Sequence, residues 1–174
     1  DLVAVRDLAR EFAEKEIAPS ATKDDREHNF RRDLVAKMGK LGFFGCVIPE
    51  EYGGSNLGFL AFALISEEIA RVHAAVRVYM NMQAGPALTL LDFGTEEQKR
   101  KYIPSLVSGE SLGCFAITEP DAGSDVAGMR TTAVRNGDSY ILNGTKTWIS
   151  NATVADTGIV FAYTNRSLRH HGMS

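Results

Sequence analysis

Cysteine, tryptophan and proline are scarce in this chain, at two, one and five among 174 residues. Cys46 and Cys114 are too few and too far apart for a disulfide framework or a cysteine-based metal centre, and both read as buried thiols. His28, His73, His170 and His171 show no ligand spacing with acidic partners, so no metal is expected. No apolar run approaches the roughly 18 residues that a membrane span requires; the longest covers residues 59–65. Neither sign of charge dominates. The net charge is −3, and Lys99, Arg100 and Lys101 follow Glu96 and Glu97 as a mixed, solvated helix face, which gives no support to a nucleic-acid or anionic-membrane partner. No G-x-G-x-x-G follows a strand, so the usual dinucleotide fingerprint at a helix N-terminus is missing. Internal repeats and low-complexity segments are also missing. The first residue is Asp1, with helical periodicity already running, so the lack of a leader carries no information on compartment.

What is present is an ordinary globular composition, 44% hydrophobic and 24% charged, sufficient for a real core. Leu2, Val5, Leu8, Ala9, Phe12 and Ala13 share a helical face, and Pro19 closes that helix. A second helix starts near Asp33, with Leu34, Met38 and Leu41 on one side; residues 42–49 read as extended and 51–55 as a loop. The third helix, 59–73, is apolar on most sides and is expected at the centre of a bundle. The fourth, 75–92, is expected to kink or break at Gly85-Pro86. Thr95 and Gln98 form a capping box that opens a fifth helix reaching about Val107, its last turns strained by Pro104. Five helices thus precede the strands. The boundary falls within residues 109–113, dividing the chain into a helical domain, 1–112, and a β-domain, 113–174.

Residues 111–118 read as a strand ended by Pro120, and Ala122-Gly123-Ser124-Asp125 as a small-residue turn with free N–H groups, suited either to an anion or to an ordinary turn. Residues 129–134, 139–142 and 145–149 are β-prone and are separated by Asn136-Gly137 and Asn143-Gly144, which predicts an antiparallel meander. A last strand over 158–163 is left as an edge. Strand period two puts Trp148 and Ser150 on one face and Ile149 on the other, offering an indole and a hydroxyl together to a planar heteroaromatic ring. On these residues taken singly, a plain turn and a core or sheet-surface tryptophan are the stronger reading.

The decapeptide A-I-T-E-P-D-A-G-S-D, residues 116–125, together with N-G-T-K-T-W-I-S-N, residues 143–151, resembles the acyl-CoA dehydrogenase family, flavoenzymes that oxidise acyl-CoA thioesters to 2,3-enoyl products. The resemblance implies an α+β fold: an N-terminal all-α domain, then an incomplete antiparallel β-barrel-like middle domain, with the C-terminal helical domain lying outside this chain. It implies FAD, contacted by Phe115, Ile117 and Thr118, and by Trp148, Ile149 and Ser150, with Ser150 near N5 where many members carry threonine. Gly123 and Ser124 would lie where cofactor and CoA thioester meet. In the family a glutamate removes the α-proton while the β-hydride passes to the flavin. Glu119 occupies a position that is structural in the family, so the base is expected in the missing C-terminal domain, no catalytic residue is assigned here, and residues 1–174 alone are expected to be inactive.

Arg77 corresponds to an arginine by which glutaryl-CoA dehydrogenases and their relatives pair the distal acyl carboxylate. That subgroup also has a glutamate and a serine where this chain has Ala70 and Val78, which leaves branched, cyclic or differently spaced carboxylated acyl groups open. A solvated helix-face arginine is the ordinary alternative. The implied partners are the acyl-CoA substrate, with Arg77 and Ser124 as its contacts, and an electron-transfer flavoprotein, in a homotetramer. The implied location is the cytoplasm of a bacterium or the mitochondrial matrix of a eukaryote. An acyl-CoA oxidase and a non-catalytic partial homologue acting as a binding or assembly module are the competing functions.

Overall fold

Asp1 opens the first helix by accepting the Val3 N–H at 2.9 Å, and α1 runs Leu2–Phe12. It passes into a π-helical turn, Ala13–Ile17, before Pro19, and a short helix absent from the sequence expectation, α2 (Ala21–Glu27), follows. Then come α3 (Arg32–Lys40), α4 (Phe59–Val72), α5 (Ala74–Phe93) and α6 (Glu96–Ser108), so the helices number six, not five. The computed structural model describes residues 1–174. None of its helices is long and apolar enough to cross a membrane. The chain forms two compact units, Asp1–Gly113 and Cys114–Ser174.

In the helical unit α1 packs on α4, α4 on α5, and α6 on both α5 and α3. The α4 helix buries Ala61, Ile65 and Ile69, but its first turn leaves Phe59 and Leu60 in solvent, so it is central only beyond that turn. Residues 42–49 are not extended. They fold into successive turns that bury Phe43, Phe44, Cys46, Val47 and Ile48, with Gly42 in the left-handed region at φ 73°. Burial pushes the Cys46 thiol up to about 11.

Pro86 does not break α5. The helix is continuous, and Gly113 packs where the Met82 carbonyl has lost its helical donor to the proline; a Cβ on Gly113 would come within 2.1 Å of that oxygen. Gln83, fully buried, ties the same region together by donating to the Leu106 and Ser111 carbonyls, each at 2.8 Å, and accepting the Gly113 N–H at 2.7 Å. The Thr95–Gln98 capping box is formed in both directions.

The second unit is smaller and its sheets are short. Strand β1 (Gly113–Ala116) pairs with β4 (Thr157–Val160), and β2 (Thr132–Asn136) pairs antiparallel with β3 (Ser139–Asn143); these two-stranded sheets do not close into a barrel. The β2–β3 hairpin turns at Gly137 (φ 63°) and Asp138, as Asn136-Gly137 predicts, with Asn136 opposite Ser139. Its apolar centre is small: Ala122, Met129 and Tyr163, with Phe161 and Met173 against them.

Candidate functional site

The two motif segments lie side by side in the β unit. Glu119 and Ala122 exchange backbone hydrogen bonds at 3.0 and 3.1 Å, folding Pro120 and Asp121 into a tight turn directly after β1. The Thr147 N–H donates to the Thr118 carbonyl at 2.9 Å, which joins the residues after β3 to those after β1. Thr118 therefore neighbours the Thr147-Trp148 peptide, and the structure brings together residues that stand far apart in sequence.

Residues 145–149 are not a strand, which corrects the predicted meander. Asn143-Gly144 makes no hairpin; at Gly144 the chain passes so close to Thr131 that a Cβ would meet its side-chain oxygen at 2.2 Å, and glycine answers that crowding. Trp148 then adopts φ 57° and Asn151 φ 65°, so strict alternation of faces fails at Trp148 and no strand period sets where Ser150 lies. Asn151 instead anchors a turn by accepting the Val154 and Ala155 N–H groups at 2.9 and 2.8 Å.

A bulky residue in the left-handed region is strained by about 1 kcal/mol or more. Trp148 carries that strain while 90% exposed. A strained, solvent-facing indole gains nothing from the chain around it. The ordinary reading of Trp148 as a core residue is thus excluded, and a flat aromatic face is presented outward.

Of the other predicted contacts, Phe115 on β1 is half-buried and stacks at a tilt on Phe161, ring centres 5.0 Å apart. Ile117, Thr118 and Ile149 are half-buried, and Ser124 and Ser150 are exposed. None of the bonds that hold this loop uses the hydroxyls of Thr118, Ser124 or Ser150. Gly123 has an ordinary φ and open space where a Cβ would stand, so the fold of the chain does not require glycine there. Asp125 caps the short 3-10 turn Val126–Gly128. Cys114 is half-buried, less enclosed than its sequence reading, with a thiol raised by burial.

Glu119 is only 5% exposed and is surrounded by donors. Burial opposes its ionisation, but Thr131, the Arg130 N–H and Lys146 outweigh that and bring its carboxyl down to about 2. A carboxylate so weakly basic and so fully engaged is a poor proton acceptor. Its ion-pair partner, Lys146, also donates to the Ile117 carbonyl at 2.8 Å. Lys146 escaped the sequence reading; the signal was a lysine inside one motif segment and an acid inside the other.

Arg77, in the helical unit, sits in the first turn of α5, half-buried. It joins none of the ion pairs that lace that unit, such as Arg10–Glu68, Arg31–Asp24 and Arg71–Glu14. Ala70 is exposed on α4 and Val78 half-buried on α5.

Residues 1–110 match the family described as acyl-CoA dehydrogenase, N-terminal domain, and residues 114–174 that described as acyl-CoA dehydrogenase, middle domain. Glutaryl-CoA dehydrogenase of Desulfococcus multivorans is 49% identical over 178 residues, which covers 100% of this chain and 46% of that protein. The mitochondrial short-chain specific acyl-CoA dehydrogenase of Bos taurus is 44% identical over 171 residues, 98% of this chain and 42% of that protein. The solved structure of a glutaryl-coenzyme A dehydrogenase in complex with glutaryl-CoA matches with a TM-score of 0.97 at 50% identity, over 99% of this chain and 45% of that one. The chain thus spans less than half the length of the relatives it matches.

Proposed function

We infer that this chain, which belongs to the acyl-CoA dehydrogenase family, is the flavin-holding part of an enzyme that dehydrogenates an acyl-CoA thioester between its α and β carbons. The family is FAD-dependent, and FAD when bound supplies the acceptor for the two electrons removed. The observation that carries the reading is Trp148: exposed, strained, and set beside Thr118 by the Thr147–Thr118 hydrogen bond. Stacking of an isoalloxazine ring on that indole would give the strain its return.

Around it the chain offers what such a ring needs. Thr118 and Ser150 have hydroxyls to donate, Phe115, Ile117 and Ile149 give apolar surface, and the open space at Gly123 with the Ser124 hydroxyl leaves room for a thioester to approach. The α-proton acceptor is proposed to come from sequence beyond this chain, because Glu119 is committed to Lys146 and the 130–131 backbone. Passage of electrons to an electron-transfer flavoprotein, and assembly as a homotetramer, complete the reading on the strength of the family resemblance.

A carboxylated acyl group is the proposed substrate class. An unpaired, half-buried Arg77 supports it, as does the name of the relative from Desulfococcus multivorans; Ala70 and Val78 argue for a spacing other than that of glutarate in the subgroup. The test is anaerobic flavin reduction by glutaryl-CoA and butyryl-CoA in the full-length protein and in Arg77→Ala. An arginine–carboxylate pair broken on one side loses roughly 30- to several-thousand-fold. Glutaryl-CoA should lose that much and butyryl-CoA far less. Equal losses on both, or on neither, would remove Arg77 from the substrate site.

A further inference from the structure

One ion pair joins both motif segments of the β unit, and its surroundings suit a positioning role better than a general stabilising one. The Lys146 ammonium donates to Glu119 at 2.9 Å and to the Ile117 carbonyl at 2.8 Å, so it grips the segment after β1 at two points. Glu119 in turn accepts from the Arg130 and Thr131 N–H groups. Thr131 is the residue whose crowding demands Gly144, and its carbonyl accepts the Tyr163 N–H at 2.8 Å. Three stretches of backbone, 117–119, 130–131 and 144–147, are therefore registered through a single carboxylate and a single ammonium. Trp148 follows Lys146 by two residues, and the Lys146 side chain bonds that segment to the other motif at both points. The pair is enclosed, with side chains 12% and 5% exposed.

We propose that the Lys146–Glu119 pair is a positioning device for the flavin: it holds the Thr118 and Trp148 segments in register so that their faces receive the ring without reordering. The proposal rests on the flavin reading above. Neither residue is assigned contact with flavin or substrate; both act through the backbone they fix. Site groups held within a fraction of an ångström by such supports are what preorganised binding requires.

An enclosed pair has a characteristic response to being broken. Removing the lysine leaves a buried charge without its partner, which is worse than removing both. In Lys146→Met the Glu119 carboxylate keeps its Thr131 and Arg130 donors but loses its counter-charge, and it is relieved when it takes up a proton. The other charged groups near it, Arg130 and Asp121, pair with each other at 3.1 Å in solvent and change little. FAD affinity of Lys146→Met should therefore be poor at neutral pH and recover as pH is lowered toward 5. The Lys146→Met/Glu119→Gln double variant, neutral at both positions, should bind FAD better than Lys146→Met at pH 7.5 and show no such recovery. Lys146→Arg, which keeps the charge and the donors, should stay near wild type.

The experiment titrates FAD into the full-length apoprotein of each variant at pH 5, 6, 7 and 7.5, following flavin absorbance and fluorescence, with far-UV circular dichroism to verify folding. Lys146→Met should lose about tenfold or more in affinity at pH 7.5, with an altered flavin spectrum in the bound form. If Lys146→Met does not fold, the double variant and Lys146→Arg still decide: a double variant with wild-type affinity and flavin spectrum would overturn the proposal. So would a folded Lys146→Met with wild-type affinity at every pH, or one matching the double variant throughout. A wild-type protein that binds no FAD at all would instead sink the flavin reading, and the proposal with it.

Discussion

The two units of this chain are held together differently. The helical unit buries Phe43, Phe44, Leu34, Met38, Ile65, Ile69, Met80 and Leu106 almost completely, and its ion pairs lie along the seams. Glu68 on α4, itself buried, takes Arg10 of α1 at 2.6 and 3.0 Å and Arg71 at 3.2 Å, but both arginines remain about half exposed. Such pairs add register to a bundle that burial already stabilises. The β unit has a handful of apolar residues at its centre, and its enclosed polar bonds converge on Glu119. A unit with little apolar surface to bury depends on satisfied polar groups for a single conformation. The lesson is one of division: within the helical unit burial sets the stability, whereas within the β unit satisfied polar groups set the conformation, and Trp148 is held strained and exposed there.

That contrast can be broken most forcefully in the helical core. Phe43→Ala removes a ring that packs edge-on against Phe12 at 5.6 Å, and should cost about 3–5 kcal/mol, read as a lowered denaturant midpoint by circular dichroism. A cost below about 1 kcal/mol would mean that burial is not what stabilises the bundle.

Acid probes the same contrast from the other side. Asp24 in the helical unit, held by Ser20, Asn29 and Arg31, and Glu119 in the β unit both have carboxyls brought down to about 2. A depressed carboxyl stabilises the fold above the ordinary carboxylate range, and that stability is lost as pH falls from about 4 toward 2. With less burial in reserve, the β unit should open first. Hydrogen exchange across this window should show residues 117–147 losing protection before α4 and α5 do; simultaneous loss would erase the distinction between the units.

The smallest effect sharpens it. Tyr163→Phe deletes only the hydroxyl that donates to the Ala127 carbonyl at 2.9 Å, and should destabilise by about 0.5–1.5 kcal/mol in a urea titration.

What could be read from the sequence follows the same division. Helices with a strong apolar period, and a capping box spelled out by Thr95 and Gln98, were legible because the determinants are local. The short α2 was not, since Ala21–Glu27 has no apolar stripe of its own, and Pro86 misled because the Met82 carbonyl it frees lies against Gly113, far along the chain. In the β unit, Asn136-Gly137 named its hairpin correctly, while Asn143-Gly144 answered a distant crowding by Thr131. The proposed site residues come from resemblance to the family and not from any local pattern. The left-handed Trp148 and the Lys146–Glu119 pair were not legible, because both depend on which segments meet in space.

The central claim is that Trp148 is the face on which the flavin rests. Its direct test is the Trp148 emission of the full-length apoprotein, taken as the difference between wild type and Trp148→Phe while FAD is added. The account predicts that this difference signal is quenched in step with FAD binding and that Trp148→Phe binds FAD more weakly. An unquenched signal at saturating FAD, with the two proteins binding equally well, would contradict it.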